Sequence, residues 1–127
     1  MGEDSILAQK LADSMAQASK CVVCVTDMDR VIAVAGCPKS QFMDKDISVE
    51  LENAISARKP IVTERMPIII SLEPDFNYTH AAISRIISEG DTEGAVVILS
   101  KDDGVGENEV LLAKTVSMFL GDRLIWP

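Results

Sequence analysis

The sequence lacks any apolar segment long enough to cross a bilayer, which takes about 20 consecutive apolar residues. Its first residues, Met-Gly-Glu-Asp-Ser-Ile, are acidic and contain no apolar signal core. We therefore expect a cytoplasmic protein with no membrane partner. The cysteine count is odd, at 3, and cysteines in a chain without an export signal are expected to remain reduced thiols.

Positive charge and aromatic side chains are also scarce. The chain has 12 Lys and Arg against 20 Asp and Glu, and its net charge of −8 repels phosphate backbones. Its aromatic residues (3 Phe, 1 Tyr and 1 Trp) are scattered and offer no platform for base stacking. Both features argue against direct nucleic-acid binding by this chain. Because His80 is the single histidine, a Ser-His-Asp hydrolase has little support, and we predict no catalytic residue.

The composition is that of an ordinary globular domain. With 127 residues, of which 47% are hydrophobic and 25% charged, the chain can bury a core, and we predict a single domain over residues 1–127. Hydrophobic periodicity predicts the order α-β-β-α-β-β-β-α. The predicted helices span residues 4–19, 48–58 and 107–124, and the predicted strands span 21–26, 31–35, 67–72, 78–88 and 95–100. Hairpin-type links prevail in the second half, which favours a largely antiparallel sheet with helices packed on it.

Local signals refine these elements. Ser48 is the predicted N-cap of the second helix, and residues 89–94 are predicted to form a turn. The first helix is predicted to bury one apolar stripe, made of Leu7, Leu11, Met15 and Ala18.

The cysteines are the first candidates for chemistry. Cys21 and Cys24 have C-x-x-C spacing, but two valines separate them in a predicted strand. Residues three apart in a strand face opposite sides of its sheet, so these thiols should not converge on a metal or form a redox pair. Cys37 follows the second strand without a neighbouring base or a convergent thiol, and we predict a pocket-rim residue. A zinc site would need four converging ligands, and we predict no metal and no cofactor.

Two stretches of the chain resemble a known family. "VVCVTDMDRVIAVAG" (22–36) and "EGDTEGAVVILSKDDGVGENE" (89–109) are similar to the C-terminal GAF domains of stage V sporulation protein T and its relatives. Those proteins are bacterial transcription regulators with an N-terminal swapped-hairpin DNA-binding domain of the AbrB type. The resemblance runs from about residue 6 to residue 124 and is most specific in residues 94–101.

This resemblance implies an α+β fold of the GAF-like, PAS-related kind. It implies a largely antiparallel sheet of about five or six strands. The N- and C-terminal helices would pack on one face of the sheet. A short helix and its loop would form a lid on the other face.

The chain also departs from its relatives. The basic DNA-binding segment, punctuated by glycine and proline, is not found in these residues, so we expect DNA contact only through an N-terminal domain that this chain lacks. An excised sensor domain and a stand-alone relative are both compatible with this. The cyclic-nucleotide signature of other GAF domains and their bilin-attaching Cys-His pair are missing too, so neither ligand is carried over from the fold.

The resemblance implies a ligand cleft between one sheet face and the segment after the second strand. Residues 36–57 would be the lid, and strands near 68–72 and 78–84 the floor. Strand parity predicts that Tyr78, His80 and Ala82 share a face. The predicted lining residues are Cys37, Phe42, Met43, Leu51, Ile55, Ile69, Ser71, Tyr78, His80 and Ala82. They would form an apolar cleft with a few polar groups, as is typical of small-molecule sites; the alternative is a cleft filled by its own side chains.

The terminal helices suggest a second role. Both should cover the same sheet face and leave side-chain stripes free for a homodimer or tetramer. Relatives oligomerise through helices that flank the sensor domain, and the resemblance therefore favours this interpretation. The predicted seam consists of Ile6, Leu7, Val110, Ala113, Lys114 and Ser117. The alternative is that these stripes are used up in covering the sheet.

Together these observations predict a non-enzymatic sensing and dimerisation domain of a sporulation-type bacterial transcription regulator, with an unknown small-molecule effector. Two alternatives stay open. Some GAF proteins reduce free methionine sulfoxide with cysteines in the cleft, and 3 cysteines are present here. The domain would otherwise be a scaffold that dimerises without any ligand.

Overall fold

The computed structural model describes residues 2–56, 78, 80–100 and 105–123. Its elements are α1 (Gly2–Ser19), β1 (Val22–Thr26), β2 (Val31–Ala35), a 3-10 turn (Lys39–Gln41), α2 (Val49–Ser56), β3 (His80–Ser88), β4 (Asp91–Ser100) and α3 (Glu107–Arg123). Every helix and strand predicted within these residues is confirmed, with ends displaced by a few positions. The strand predicted over 67–72 lies outside the described residues. Of the described helices, none has the length and apolar character needed to span a membrane.

The strands form one antiparallel sheet in the order β2-β1-β4-β3. The described sheet thus has four strands, against the five or six predicted. Central β1 and β4 are flanked on both sides, and their residues 23–26 and 95–99 are buried. This burial on both faces explains why they appear in the sequence as continuous apolar runs rather than as alternating ones.

The sheet separates two apolar clusters, which we call the helix-side core and the lid-side core. The helix-side core contains residues of α1 and α3 together with one face of the sheet, including Val23 and Ile98. The lid-side core contains residues of α2 and the preceding loop together with the other face, including Cys24 and Val97. This is the predicted α+β arrangement, with the terminal helices on one face and the short helix and loop on the other.

Helix α1 faces the sheet with two alanines and one methionine. Ala8 and Ala12 are fully buried and Met15 of the predicted stripe is 3% exposed, whereas Leu7 and Leu11 are half-buried and Ala18 is exposed. The predicted stripe is therefore rotated, because a helix that approaches a sheet closely buries alanine where leucine would force it away.

A side chain of α1 also protects an edge of the sheet. The Gln9 amide donates to the Val34 carbonyl oxygen over 2.8 Å and accepts from the Val34 N–H over 3.2 Å. Both backbone groups of Val34 on the outer side of β2 are thereby satisfied as a neighbouring strand would satisfy them. Edge strands whose backbone groups are occupied in this way are poor templates for pairing with other chains.

The link between β3 and β4 is shorter than predicted. Glu89 and Gly90 have φ angles of +52° and +86°, and Ser88 pairs directly with Asp91. Two central residues with positive φ are typical of a type I′ hairpin turn. The prediction of a turn over 89–94 was too long, because the polar residues after Gly90 already belong to β4.

Thr26 at the end of β1 carries a polar atom that its surroundings do not satisfy. Its side chain is fully buried, and its Oγ1 finds no hydrogen-bond partner within the part of the chain that the structure describes. A buried hydroxyl of this kind loses its hydrogen bonds to water and gains none in the protein, which lowers the free energy of unfolding.

We expect Thr26→Val to raise the free energy of unfolding by about 1 kcal/mol, because valine keeps the shape and removes the hydroxyl. Urea unfolding measures this change. The control Thr26→Ser keeps the hydroxyl and loses the methyl group, so it should lower stability by about 1 kcal/mol. A loss of stability in the valine variant would mean that the hydroxyl has a partner in solution.

Candidate functional site

The lid begins where the chain leaves β2. Gly36 has a φ of +86°, and a side chain there would collide with the carbonyl oxygen of Cys21. Only glycine fits this position without displacing the backbone. The chain then runs through Cys37 and the 3-10 turn to Phe42, which lies over the sheet.

The far end of the lid is fixed to the hairpin of β1 and β2 by backbone hydrogen bonds. The N–H of Val31 donates to the carbonyl oxygen of Lys45 over 3.0 Å, and the N–H of Asp44 donates back to Val31 over 3.0 Å. A third bond of 3.0 Å runs from the N–H of Ile47 to the carbonyl oxygen of Asp29. The loop thus returns to the sheet as a short antiparallel pairing, which sets the position of α2.

Helix α2 then adds the apolar inner surface of the lid. The Ser48 hydroxyl accepts a hydrogen bond from the N–H of Leu51 over 3.1 Å, which confirms the predicted N-cap. From this start, Leu51 and Ile55 are one helical turn apart and point to the same side, where they are 1% and 0% exposed. Both belong to the lid-side core.

Tyr78 connects the lid to the strand side of the domain. Its ring lies 6.1 Å from that of Phe42, centroid to centroid, at an interplanar angle of 44°. Its hydroxyl donates to Oε1 of Gln41 in the 3-10 turn over 3.4 Å. Phe42 and Tyr78 are 2% and 4% exposed. The polar contact between Tyr78 and Gln41 therefore borders a buried apolar cluster.

The structure brings together most of the predicted lining residues. Those buried in the lid-side core are Phe42, Leu51, Ile55 and Tyr78, and those half-buried against it are Cys37 and Met43. Ile69 and Ser71 lie outside the described residues. His80 is half-buried at the start of β3, where it pairs with Ser100.

The placement predicted for Ala82 is wrong. Ala82 pairs with Ile98 and lies in the helix-side core, whereas Ala81 and Ile83 lie in the lid-side core. Alternation holds within β3, but it cannot be extended back to Tyr78. The strand β3 spans His80–Ser88, and Tyr78, which precedes it in the chain, belongs to the lid-side core together with Ala81.

The floor of the site includes residues that the sequence did not predict as lining residues. Cys24 of β1, Val97 and Leu99 of β4, and Ala81 and Ile83 of β3 all belong to the lid-side core. Alternation along β4 would have identified Val97 and Leu99, but the unbroken apolar run conceals it. Gln41 carries no such signal, because a polar residue in a loop is ordinary.

The polar groups beneath the lid are held in their neutral forms. Burial raises the pKa of the Cys24 thiol far above its usual value, with a smaller contribution from nearby Cys37. Burial also raises the pKa of the Cys37 thiol, and it raises the pKa of Tyr78 to about 12, with smaller contributions from the two cysteines. The thiolate is the nucleophilic form of cysteine, so these thiols are poorly activated.

The C-x-x-C pair behaves as strand geometry predicts. Cys21 lies in the helix-side core and Cys24 in the lid-side core, so the sheet separates their sulfur atoms. Within the described ranges, no three His, Cys, Asp or Glu side chains converge as a metal site.

We expect the single tyrosine of the chain to titrate near pH 12 in the folded protein. The unfolded chain loses this proton near pH 10, so stability is full below that pH and falls as the pH rises from about 10 to 12. Tyrosinate absorbance in the near ultraviolet gives the value directly, and Tyr78→Phe provides the blank. A midpoint near pH 10 under folding conditions would show that Tyr78 is in contact with water.

The terminal helices present a different outer surface from the predicted seam. Ala113 and Ser117 are 1% exposed because they cover the sheet, so their placement in a dimer seam is wrong. Val110 and Leu7 are half-buried, and Ile6 and Lys114 are exposed. The large apolar side chains that α3 exposes are instead Leu111, Met118 and Phe119.

Comparison with known proteins places these features in a family. Residues 3–124 match the family described as "Stage V sporulation protein T C-terminal, transcription factor". Stage V sporulation protein T of Bacillus subtilis (strain 168) is 31% identical over 121 residues, which cover 92% of this chain and 66% of that protein. The chain therefore spans slightly less than two thirds of the length of this relative.

Solved structures with a similar fold include two GAF domains and an enzyme. The cofactor-binding GAF domain of the nutrient sensor CodY from Clostridium difficile superposes with a TM-score of 0.68 at 13% identity, over 89% of this chain and 81% of that one. The type II free methionine-R-sulfoxide reductase of Thermoplasma acidophilum gives 0.66 at 12% identity, over 94% and 93%. The PixJ GAF domain of Thermosynechococcus elongatus gives 0.63 at 16% identity, over 94% and 86%. At these identities the likeness is one of fold, and the fold is GAF.

Proposed function

Because the chain belongs to the family of stage V sporulation protein T C-terminal domains, which are GAF-fold regulatory domains of transcription factors, we propose that it senses a small molecule beneath its lid. The observation that carries this proposal is the Tyr78–Gln41 pair, a neutral polar contact of 3.4 Å that joins the lid to the strand side. Apolar walls with a few neutral polar groups are the usual composition of small-molecule sites.

Ligand entry requires the lid to move. Phe42, Leu51 and Ile55 fill the space beneath it, so a ligand must displace side chains that are at most 2% exposed. The half-buried Cys37 and Met43 at the rim are the natural entry point. The ligand can shift the lid only by as much as its affinities for the two states differ.

The regulatory consequence would pass through the sheet. The central strands β1 and β4 contribute to both cores. We therefore expect displacement of Cys24 or Val97 on one face to alter the packing of α1 and α3 on the other. We propose that this packing sets the spacing of DNA-binding domains N-terminal to this chain, in the cytoplasm, and that DNA is contacted only through them.

A thermal-shift screen with pools of small metabolites tests the ligand. A pool that contains the effector at about 100 times its dissociation constant should stabilise the fold by about 2.7 kcal/mol. Cys37→Phe narrows the rim and should reduce the shift, whereas Ser40→Phe adds the same side chain at an exposed position of the lid and should not. If no pool stabilises the wild type, the domain is a ligand-free scaffold. If the thermal shift is the same in Cys37→Phe as in the wild type, the ligand binds at another site.

We also propose that the domain forms a homodimer or a tetramer through its terminal helices, with a seam that differs from the one predicted by the sequence. Leu111 and Met118 lie two turns apart on α3 and are 64% and 61% exposed, and Ile6 on α1 is 57% exposed. Residues with this spacing lie on one helix face, as a helix-helix seam requires.

Light scattering during size-exclusion chromatography tests this seam. Leu111→Glu and Met118→Glu together should convert the oligomer to monomers, because unpaired carboxylates would be buried at the interface. Val49→Glu, the same kind of change at a 58% exposed site on α2, should leave the mass unchanged. A monomeric wild type at high concentration would refute the seam.

The domain is proposed to have no enzymatic activity. The thiol-reductase alternative requires a reactive cysteine, but burial raises the pKa of all three thiols. Incubation with free methionine sulfoxide and a thiol reductant should give no turnover. Activity in the wild type that is lost in Cys37→Ser would establish the alternative.

A further inference from the structure

The buried hydroxyl of Thr26 lies on the lid side of the sheet. Thr26 pairs with Ala95 of β4 and with Val31 of β2, and both partners belong to the lid-side core. Directly opposed residues of paired strands point to the same face of a sheet. The Thr26 side chain therefore points into the core beneath the lid and away from α1 and α3.

This hydroxyl differs from the other polar contact beneath the lid. Among the described side chains, Thr26 Oγ1 is the single buried oxygen or nitrogen without a hydrogen-bond partner, whereas the Tyr78 hydroxyl donates to Gln41. A ligand that takes the proton of Tyr78 must break an existing hydrogen bond, but one that accepts the proton of Thr26 breaks none. The gain in free energy on binding is therefore larger at Thr26.

Side chains around Thr26 can make room for a ligand. The lid backbone is fixed here by the hydrogen bonds between Val31 and residues 44 and 45, so the space must come from side chains. Ala95 contributes only a methyl group, and Met28, two residues after Thr26, is half-buried against the lid-side core. Methionine is flexible and repacks readily, so we expect Met28 to yield the space.

The surroundings of Thr26 disfavour charge. Cys24 lies two residues earlier on the same strand and belongs to the same core, and burial raises the pKa of its thiol far above the usual value. Burial would oppose a charged ligand group at this position in the same way. A ligand that fits must therefore be neutral, with an apolar body to match the walls.

We propose that Thr26 is the anchor of a ligand subsite beneath the lid, where its hydroxyl donates a hydrogen bond to the carbonyl oxygen of a neutral ligand with an apolar body. This inference rests on the proposed function, because the ligand lies in the same site, and it adds the chemical class of the ligand. The unpartnered hydroxyl destabilises the empty domain, and the ligand removes that penalty.

A cycle of two ligands and two proteins tests the anchor, with binding followed by NMR of the isotopically labelled chain. Acetophenone supplies a carbonyl oxygen, and α-methylstyrene has the same shape with a methylene group in its place. Both should give saturable shifts in the lid-side core of the wild type. Thr26→Val should weaken acetophenone at least about fivefold and leave α-methylstyrene within about twofold, because only the ketone loses a hydrogen bond.

The same substitution is expected to stabilise the free domain, so a loss of affinity for the ketone cannot be ascribed to unfolding. Thr26→Ser keeps the hydroxyl and should keep the preference for acetophenone that the wild type has over Thr26→Val. Thr115→Val makes the same change at an exposed site on α3 and should alter neither affinity. Benzoate, which has the same ring and a charge, should not bind beneath the lid.

Equal effects of Thr26→Val on the two ligands would overturn the anchor and leave the lid site itself standing. Benzoate binding as tight as that of acetophenone would overturn the neutral class. If neither aromatic ligand gives saturable shifts in the lid-side core, the inference is wrong, and the metabolite pools still decide whether an effector binds beneath the lid.

Discussion

Replacing Gly121 with alanine should lower the free energy of unfolding by about 3 kcal/mol or more, because backbone atoms occupy the space that the added methyl group needs. Gly121 faces β3 from the last turns of α3, and a Cβ there would collide with the carbonyl oxygen of Ile87. Its distance to the carbonyl carbon of Ile87 would be only 3.0 Å. Both obstacles are backbone atoms, so no rotamer change relieves the clash, and α3 must move away from the sheet. Urea unfolding measures the loss.

Gly106→Ala is the matched control, because it adds the same methyl group at the start of the same helix. The nearest atom to that methyl group would be Oε1 of Glu109, at 3.7 Å, an ordinary contact. We expect a change of at most about 0.5 kcal/mol. If Gly121→Ala were equally harmless, α3 would pack less closely on β3 than the structure shows.

Phe42→Ala should have the second large effect, a loss of about 3–5 kcal/mol. Phe42 is 2% exposed and contributes the largest side chain of the lid to the lid-side core. The substitution leaves a cavity against the Tyr78 ring and admits water to it. The pKa of Tyr78 should therefore fall from about 12 toward its ordinary value, which tyrosinate absorbance would detect together with the urea midpoint.

Val49→Ala on α2 provides the reference for this prediction. Val49 is 58% exposed, so its truncation should cost no more than about 0.5 kcal/mol and should leave the Tyr78 titration unchanged. A loss below about 1 kcal/mol in Phe42→Ala would indicate that the lid is open in solution. The lid-side core would then be a preformed cleft rather than a filled one.

The sequence predicts those parts of the fold that depend on local patterns. Helix α3 matches its prediction closely, because Ala113, Val116 and Leu120 repeat at helical spacing and are buried. Strands β1 and β4 follow from their unbroken apolar runs. The opposite placement of Cys21 and Cys24 follows from strand parity alone.

The sequence does not predict features that depend on how elements meet. The rotation of α1 is set by its distance from the sheet, and that distance is fixed by Ala8 and Ala12 only once the sheet exists. Parity extended from β3 back to Tyr78 fails, since Tyr78 belongs to the lid-side core and Ala82 to the helix-side core. In α1 the local pattern was real, but its phase was set by tertiary contacts.

The candidate site was predictable in outline and not in its composition. The resemblance indicated a lid segment with the apolar residues Phe42, Leu51 and Ile55, and the structure packs these three side chains in the lid-side core. It gave no indication of Gln41, whose side chain matters only because the Tyr78 hydroxyl reaches it. Polar contacts between distant segments have no periodicity, so a sequence cannot reveal them.

Because the sheet separates Cys21 from Cys24, the labelling rates of these two thiols report local opening of the two faces separately. Cys21 is 8% exposed on the helix side, Cys24 is fully buried on the lid side, and Cys37 is half-buried at the rim. A thiol-reactive reagent should label Cys37 first, Cys24 only when the lid opens, and Cys21 only when α1 detaches. The ratio of the two slow rates then ranks the stability of the two faces, and an effector held by the lid should slow Cys24 while leaving Cys21 unchanged.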